Sequence, residues 1–284
     1  MGKFDGMLLV SDFDNTLVYT TPALKEGRPC PDMVPRNLQA INHFMEEGGR
    51  FAVATGRSLA GYRIPAAMVP ANAPAIVNNG GGIYHFEEER FMLELLLPDN
   101  AWQHIAQLMD AFPTLCLELC DRYEYVQVMR PTPWNDRHAK LTGAPYHVID
   151  HVGPDTVNVP LFKALLVEDQ EILEQVRDYA QQQDWGDQYE FIFSSSRLLE
   201  MTAQGANKGE MVKRLMELYH CKTLICAGDH LNDMPMLQAA DRAFCPANAQ
   251  PELLAAGCTP VCHCQDGAIA DIVEILEREV DGYQ

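Results

Sequence analysis

Four segments of the chain place chemically competent residues where strands end or helices begin. The first is Ser11-Asp12-Phe13-Asp14-Asn15-Thr16, directly after the apolar run Leu8-Leu9-Val10. Side chains two apart on a strand point to the same side, so Asp12 and Asp14 project together. Open α/β sheets bind ligands at the carboxyl ends of their strands. Two adjacent carboxylates repel, so either one is protonated or a cation lies between them. All-oxygen donors favour a hard divalent ion, and Mg²⁺ held together with a substrate phosphate fits best. For an isolated Asp-x-Asp, an Asx turn closing the strand is the plainer reading. Three further segments weigh against it.

The second segment is Ala54-Thr55-Gly56-Arg57. A hydroxyl and a free amide before a helix make a seat for an anion, although Thr55 or Ser58 could equally cap that helix. The third is Lys208, in Gly205-Ala206-Asn207-Lys208-Gly209. A cation at a helix start is disfavoured by the dipole. An anion between the lysine and the helix end removes the conflict, and an exposed surface lysine is the alternative. The fourth is Gly228-Asp229-His230-Leu231-Asn232-Asp233, after an apolar run at 223–227. Asp229 ends a strand as Asp12 does. Asn232 is neutral and can donate to a phosphate oxygen. Asp233 precedes Met234-Pro235, which suits an N-cap with proline in the first turn, a role compatible with holding a metal.

The elements that must position these residues alternate at both ends of the chain. Strands at 7–10, 51–54 and 75–77 are separated by a helix at 33–47, with Val34, Leu38, Ile41 and Met45 at helical spacing, and by a short helix from Ser58. Helices at 208–219, 234–240, 251–256 and 269–279 alternate with strands at 223–227, 243–245 and 260–262. This rhythm predicts a parallel sheet with helical crossovers. The middle breaks it. A hairpin at 83–97, a helix at 101–112, strands at 115–119 and 123–129, and a loop holding Pro131, Pro133 and Trp134 come first. A strand at 161–167, a helix at 170–183 and strands at 189–193 and 198–202 follow. The expectation is an α/β core at 1–96 and 201–284 with an α+β domain inserted at 97–200.

Of 284 residues, 21 are Lys or Arg and 40 Asp or Glu, a formal net charge of -19. Phosphate backbones and anionic lipid are bound through Lys and Arg, so nucleic acid and membrane are not expected as partners. An anionic substrate needs a local cation, for which a bound metal is the natural source. No apolar run reaches the roughly 18 residues of a membrane span. Residues 1–12 carry no signal core or cleavage site, which predicts a cytoplasmic protein. Nine cysteines, an odd number, do not suggest a disulfide framework. Cys262-His263-Cys264 lacks the paired spacing of structural zinc sites and reads as a loop or strand end. No feature specifies an oligomeric state.

In this order the motifs DFDNT, ATGR, NKG and GDHLND resemble those of the haloacid dehalogenase (HAD) superfamily of phosphohydrolases. ATGR, NNGG, GANKGE and GDHLNDMPML are similar to the Cof-like branch of class IIB. The resemblance covers essentially the whole chain and is most specific in the core. It implies a Rossmann-like core with a parallel sheet and an α+β cap between the second and third motifs. It implies that Asp12 is the nucleophile that forms an aspartyl phosphate, and that Asp14 is general acid and then base. Mg²⁺ would be held by the Asp12 carboxylate, the Asp14 main-chain carbonyl and Asp229, with Asp233 close behind. Thr55, Gly56, Lys208 and Asn232 would hold the phosphoryl group.

The implied activity is hydrolysis of a small phosphomonoester metabolite, a sugar phosphate or a phosphorylated cofactor such as pyridoxal phosphate or flavin mononucleotide. A phosphomutase or phosphotransferase would use the same core residues, and a catalytically silent binding protein on this fold is a further alternative. Carrying a proton for part of the cycle requires the Asp14 pKa to rise above the usual value of about 4. Asn15 stands where glycine is commoner, and the segment 18–31, with Lys25 and Arg28, is long for this branch. In the cap, Arg130, Trp134, Arg137 and His138 are candidates for lining the cleft, and Tyr123 and Tyr125 alternate on a strand.

Overall fold

The computed structural model describes residues 2–282. Met1, Tyr283 and Gln284, at the outer ends of the expected core segments, lie outside the described residues. The N-terminal elements are β1 (Met7–Asp12), α1 (Thr21–Glu26), α2 (Pro35–Glu46), β2 (Arg50–Ala54), α3 (Leu59–Ala66), β3 (Ala75–Val77), β4 (Gly82–His85) and β5 (Arg90–Glu94). The middle holds α4 (Ala101–Ala111), β6 (Cys116–Asp121), β7 (Val126–Met129), α5 (Pro133–Thr142), β8 (Tyr146–Ile149), β9 (Leu161–Val167), α6 (Gln170–Gln181), β10 (Tyr189–Ser195) and β11 (Leu198–Ala203). The chain closes with α7 (Lys208–Tyr219), β12 (Thr223–Ala227), α8 (Met234–Ala239), β13 (Arg242–Pro246), α9 (Pro251–Ala255), β14 (Thr259–Val261) and α10 (Ala268–Gly282).

Near-continuous apolar strands such as MLLVSD and TLICA suit a sheet covered on both faces. The eight-stranded sheet runs β14-β13-β12-β1-β2-β3-β4-β5. It is parallel from β14 to β3 and ends in the antiparallel hairpin β4–β5. Alternate residues face opposite sides. Leu9, Phe51, Val53 and Ile225 pack with Ile41 and Phe44 of α2 and Ile272 and Leu276 of α10. Leu8, Val10, Ala52 and Cys226 pack with Met211 and Leu215 of α7, Met236 of α8 and Leu253 of α9. β1 has β12 on one side and β2 on the other, so strand order reverses there and opens a crevice at its carboxyl end. Asp12 is the last residue of β1.

The six-stranded sheet runs β10-β11-β9-β6-β7-β8 and is antiparallel except for β7–β8. One face packs through Leu117, Leu119, Ala164, Leu166 and Met201 against Ile105 and Leu108 of α4 and Leu173 and Val176 of α6. The other face carries Glu118, Lys163, Leu165 and Glu200 toward the crevice.

The stretch around Pro131 and Pro133, expected as a loop, is in fact the start of α5. Pro133 occupies the first turn, where its missing N–H costs nothing. Thr132 and Asn135 close a capping box, and Gly143 ends the helix in the left-handed conformation. The segment 18–31 forms α1, which packs against α5. Asn15 itself is left-handed (φ 62°), a conformation asparagine tolerates. Its side-chain oxygen accepts from the Thr21 amide and hydroxyl and so anchors α1.

Candidate active site

At the carboxyl end of β1, the Asp12, Asp229 and Asp233 carboxylates each offer an oxygen, and these lie within 4.8 Å of one another. Lys208 lies beneath them with no exposed surface, its Nζ donating to Asp12 Oδ1 and Asp233 Oδ1 at 2.6 Å each. The lysine at a helix start is therefore compensated by carboxylates. Asn207 does the capping, accepting from the Glu210 amide. Asp233 does not cap α8. Its Oδ2 accepts from the Asp229 and His230 amides and draws the 229–233 loop shut. Only glycine fits at 228, because a Cβ there would lie 2.4 Å from the Asp233 side chain.

If all three ionised, the carboxylates would exceed the one ammonium by two negative charges, the charge of one divalent ion. The titration of the group reflects the excess. Burial pushes the Asp12 carboxyl up, Lys208 pulls it down, and Asp233 and Asp14 push it up again, to about 7. Burial, with the charges of Asp12 and Asp233, holds Asp229 well above the usual carboxylate range. Burial disfavours the Lys208 charge, but Asp12 and Asp233 outweigh it and raise its pKa. A hard divalent cation would relieve this repulsion, and the all-oxygen donor set fits one.

The Asp14 side chain points elsewhere. Arg57 grips it with two hydrogen bonds of 2.8 Å, from Nε and from one terminal nitrogen. Arg57 is itself buried, with its guanidinium over the Phe13 ring. Burial raises the Asp14 carboxyl, but Arg57, helped by Thr20, more than offsets it and holds the group below its ordinary range. This reverses the expected direction, because the expectation left out the paired guanidinium.

A cavity of about 460 Å³ opens over these groups and reaches the inner face of the six-stranded sheet. Asp12, Asp14, Gly56, Asp229 and Asn232 line it. Thr55, Lys208 and Asp233 lie behind that lining, fully buried. The Thr55 hydroxyl accepts from the Arg57 amide, and Ser58 caps α3. Asn232 donates to Asn79, which is left-handed, as is Asn78. Gly80 lets this turn approach the start of α7, since a Cβ there would lie 2.4 Å from the Asn207 backbone.

Residues 9–272 match the family described as haloacid dehalogenase-like hydrolase. The chain belongs to that family. A protein of Cronobacter sakazakii named HMP-PP phosphatase is 26% identical over 269 residues, 91% of each chain. A haloacid dehalogenase-like hydrolase from Bacteroides thetaiotaomicron superposes with a TM-score of 0.79 at 22% identity, covering 96% of this chain and 99% of that one. A structure described as a HAD subclass IIB sugar phosphatase gives 0.77 at 15% identity, covering 95% and 98%.

Within this family member, the candidates expected to line the cleft divide. Trp134 and His138 line the cavity and stack on each other at 4.5 Å. Arg130 instead donates to the Met109 and Leu115 carbonyls. Arg137 packs against Gly27, Arg28 pairs with Glu26, and Tyr123 and Tyr125 are exposed. Sequence reasoning missed Glu118, Lys163 and Glu200, all buried and all on the cavity wall. Lys163 Nζ donates to Glu200 at 2.7 Å and across to the Gly56 carbonyl at 2.6 Å. Single charges inside the apolar strands LFKALLV and LLEMTA were the available signal. His263 accepts from the Gln265 amide, and Cys264 is buried beside it.

Proposed function

We propose that the protein is a Mg²⁺-dependent phosphatase of small phosphomonoester metabolites, working through an aspartyl phosphate on Asp12. The observation that carries this reading is the carboxylate triad over Lys208, three acidic groups to one ammonium, on the floor of a cavity at the switch point of the sheet. The relative named HMP-PP phosphatase and the likeness to a sugar phosphatase fold support it. Asp12, Asp229 and Asp233, with the Asp14 main-chain carbonyl, would hold the ion. When bound, it supplies a positive charge that lets a carboxylate approach a phosphate.

The chain's own residues do the rest. Thr55, Gly56, Lys208 and Asn232 hold the phosphoryl oxygens. An Asp12 carboxylate oxygen bonds to phosphorus as the ester bond breaks, and Asp14 gives its proton to the departing oxygen. Asp14 then takes a proton from the water that splits the aspartyl phosphate, and inorganic phosphate leaves. To act as the acid, Asp14 must loosen from Arg57, which holds it ionised. We assign this chemistry to a core of residues 1–96 and 201–284, and substrate choice to a cap of residues 97–200. Among the described residues no helix is long and apolar enough to cross a membrane, and we place the enzyme in the cytoplasm. The test is phosphate release from p-nitrophenyl phosphate. Activity that rises with Mg²⁺ and collapses in chelator and in Asp12→Asn is expected; undiminished turnover in either overturns the reading.

A further inference from the structure

Lys163 and Glu200 are buried charges on the cavity wall that the proposed phosphatase chemistry does not use. They stand on neighbouring strands of the six-stranded sheet, β9 and β11. A buried ion pair is often no more stabilising than apolar groups of the same volume, so stability does not account for a lysine in LFKALLV. What apolar groups cannot do is donate. Lys163 Nζ reaches the loop after β2, donating to the Gly56 carbonyl at 2.6 Å while Glu200 accepts from it at 2.7 Å. A hydrogen bond from an ionised donor is roughly twice as strong as a neutral one. The Gly56 carbonyl is the middle one of three in a row that are held. The Asn79 amide donates to the Thr55 carbonyl at 3.0 Å, and the Asn78 amide to the Arg57 carbonyl at 2.8 Å. The turn after β3 therefore fixes the outer two, and Lys163 fixes the middle one. A peptide group is planar, so holding the Gly56 carbonyl also holds the Arg57 amide at its other end. That amide donates to the Thr55 hydroxyl oxygen at 3.1 Å. With the oxygen accepting there, the one hydroxyl proton is turned away from the amide. Among the described residues, neither that proton nor the Gly56 N–H has a protein acceptor.

We propose that Lys163 is a positioning residue: it holds the Gly56–Arg57 peptide in the orientation that presents the Thr55 hydroxyl and the Gly56 amide to the phosphoryl oxygens. The inference rests on the phosphatase reading and adds to it a residue that lies outside the four motifs and on the other sheet. Glycine at 56 makes the peptide easy to turn. Turned over, its carbonyl would stand where the Arg57 amide now stands and would take the Thr55 proton for itself. The seat would then lose a donor without losing a residue. Lys163 has a second effect at the same place. Glu200 Oε1 lies 3.4 Å from where a Cβ on Gly56 would stand, and the ammonium offsets a carboxylate that would otherwise repel a phosphate there.

The test uses the full chain with Mg²⁺ and two readouts: kcat/KM for p-nitrophenyl phosphate, and competitive inhibition by inorganic phosphate, which would occupy the same seat. Lys163→Met combined with Glu200→Met removes the bond to Gly56 and strands no charge, so its melting temperature should stay close to the wild-type value. The misplaced donors should nonetheless weaken both readouts, on the order of 10–100-fold. Thr55→Val deletes the hydroxyl and should cause a loss of its own. Added to the double variant, it should cost clearly less than in the wild-type protein, because both changes disable the same donor. If the methionine pair does not fold, Lys163→Gln with Glu200→Gln should show the same losses, since glutamine ends one atom short of the lysine nitrogen. A folded double variant with wild-type inhibition by phosphate, or losses that multiply in full with Thr55→Val, would overturn the proposal. Wild-type protein that releases no phosphate even from p-nitrophenyl phosphate overturns the phosphatase reading itself, and this proposal with it.

Discussion

Asp14 is held by a charge that opposes its proposed work. Its pair with buried Arg57 keeps it ionised, whereas a leaving-group acid must carry a proton. Substrate binding therefore has to draw Asp14 off Arg57, and leaving-group basicity should decide how much that matters. In Asp14→Asn the metal contact is expected to persist through the main chain, while proton transfer, worth about 10²–10⁴-fold, is lost. An alkyl phosphate should lose most in the first step, because its leaving oxygen cannot depart unprotonated. A nitrophenyl ester should still phosphorylate Asp12 and then stall, giving a burst and slow turnover. Rapid-quench kinetics with both esters checks this, and equal first-step losses with no burst would remove Asp14 from the acid role. That Asp12, Asp229 and Lys208 would come together was legible, because each follows or precedes a readable element. The Arg57 grip was not legible. It depends on rotamers joining positions 43 residues apart, and nothing local in ATGR distinguishes a surface arginine from a buried one.

At the scale of elements, the strand–helix rhythm of the core was readable because parallel strands buried on both faces leave long apolar runs between turn signals. The six-stranded sheet was harder. LFKALLV reads as an apolar strand and says nothing of where Lys163 points, and its partner Glu200 lies 37 residues on. The observed pair has both members buried and ties β9 to β11 and to the Gly56 loop after β2. Removing one member of a buried pair strands the other charge and costs about 3–5 kcal/mol, whereas replacing both with apolar groups is often neutral. Lys163→Met and Glu200→Met should each lower thermal stability markedly, and the double variant should recover most of the loss. Calorimetric unfolding of the three variants measures this. Additive losses in the double variant would mean that the two side chains stabilise the fold independently. The α5 helix was missed because two prolines so close together read as a loop, whereas Pro133 in fact sits in the first turn behind the Thr132 cap.

At the scale of the whole molecule, a net charge of -19 already loads the fold with self-repulsion, and the carboxylate triad concentrates it. The direction of the pH effect follows from Asp12. Its carboxyl titrates at about 7 in the folded, metal-free protein, against about 4 for an ordinary aspartate. Between those values the folded chain keeps a proton that the unfolded chain has released. Metal-free stability from this group therefore falls as pH rises through the window and levels off above about 7. Asp229, also raised, adds in the same sense. A divalent ion must displace these protons to bind, so its affinity should weaken by about tenfold per pH unit for each proton displaced below the window's upper edge. Because a ligand that binds only the folded state stabilises it in proportion to the logarithm of its occupancy, added Mg²⁺ should raise the melting temperature much more at about pH 8 than at about pH 6. Thermal scans with and without Mg²⁺ at both pH values test the linkage, with Asp12→Asn as the control that should flatten it. An equal Mg²⁺ effect at both pH values in the wild-type protein would mean that the ion displaces no proton from the triad and binds away from it.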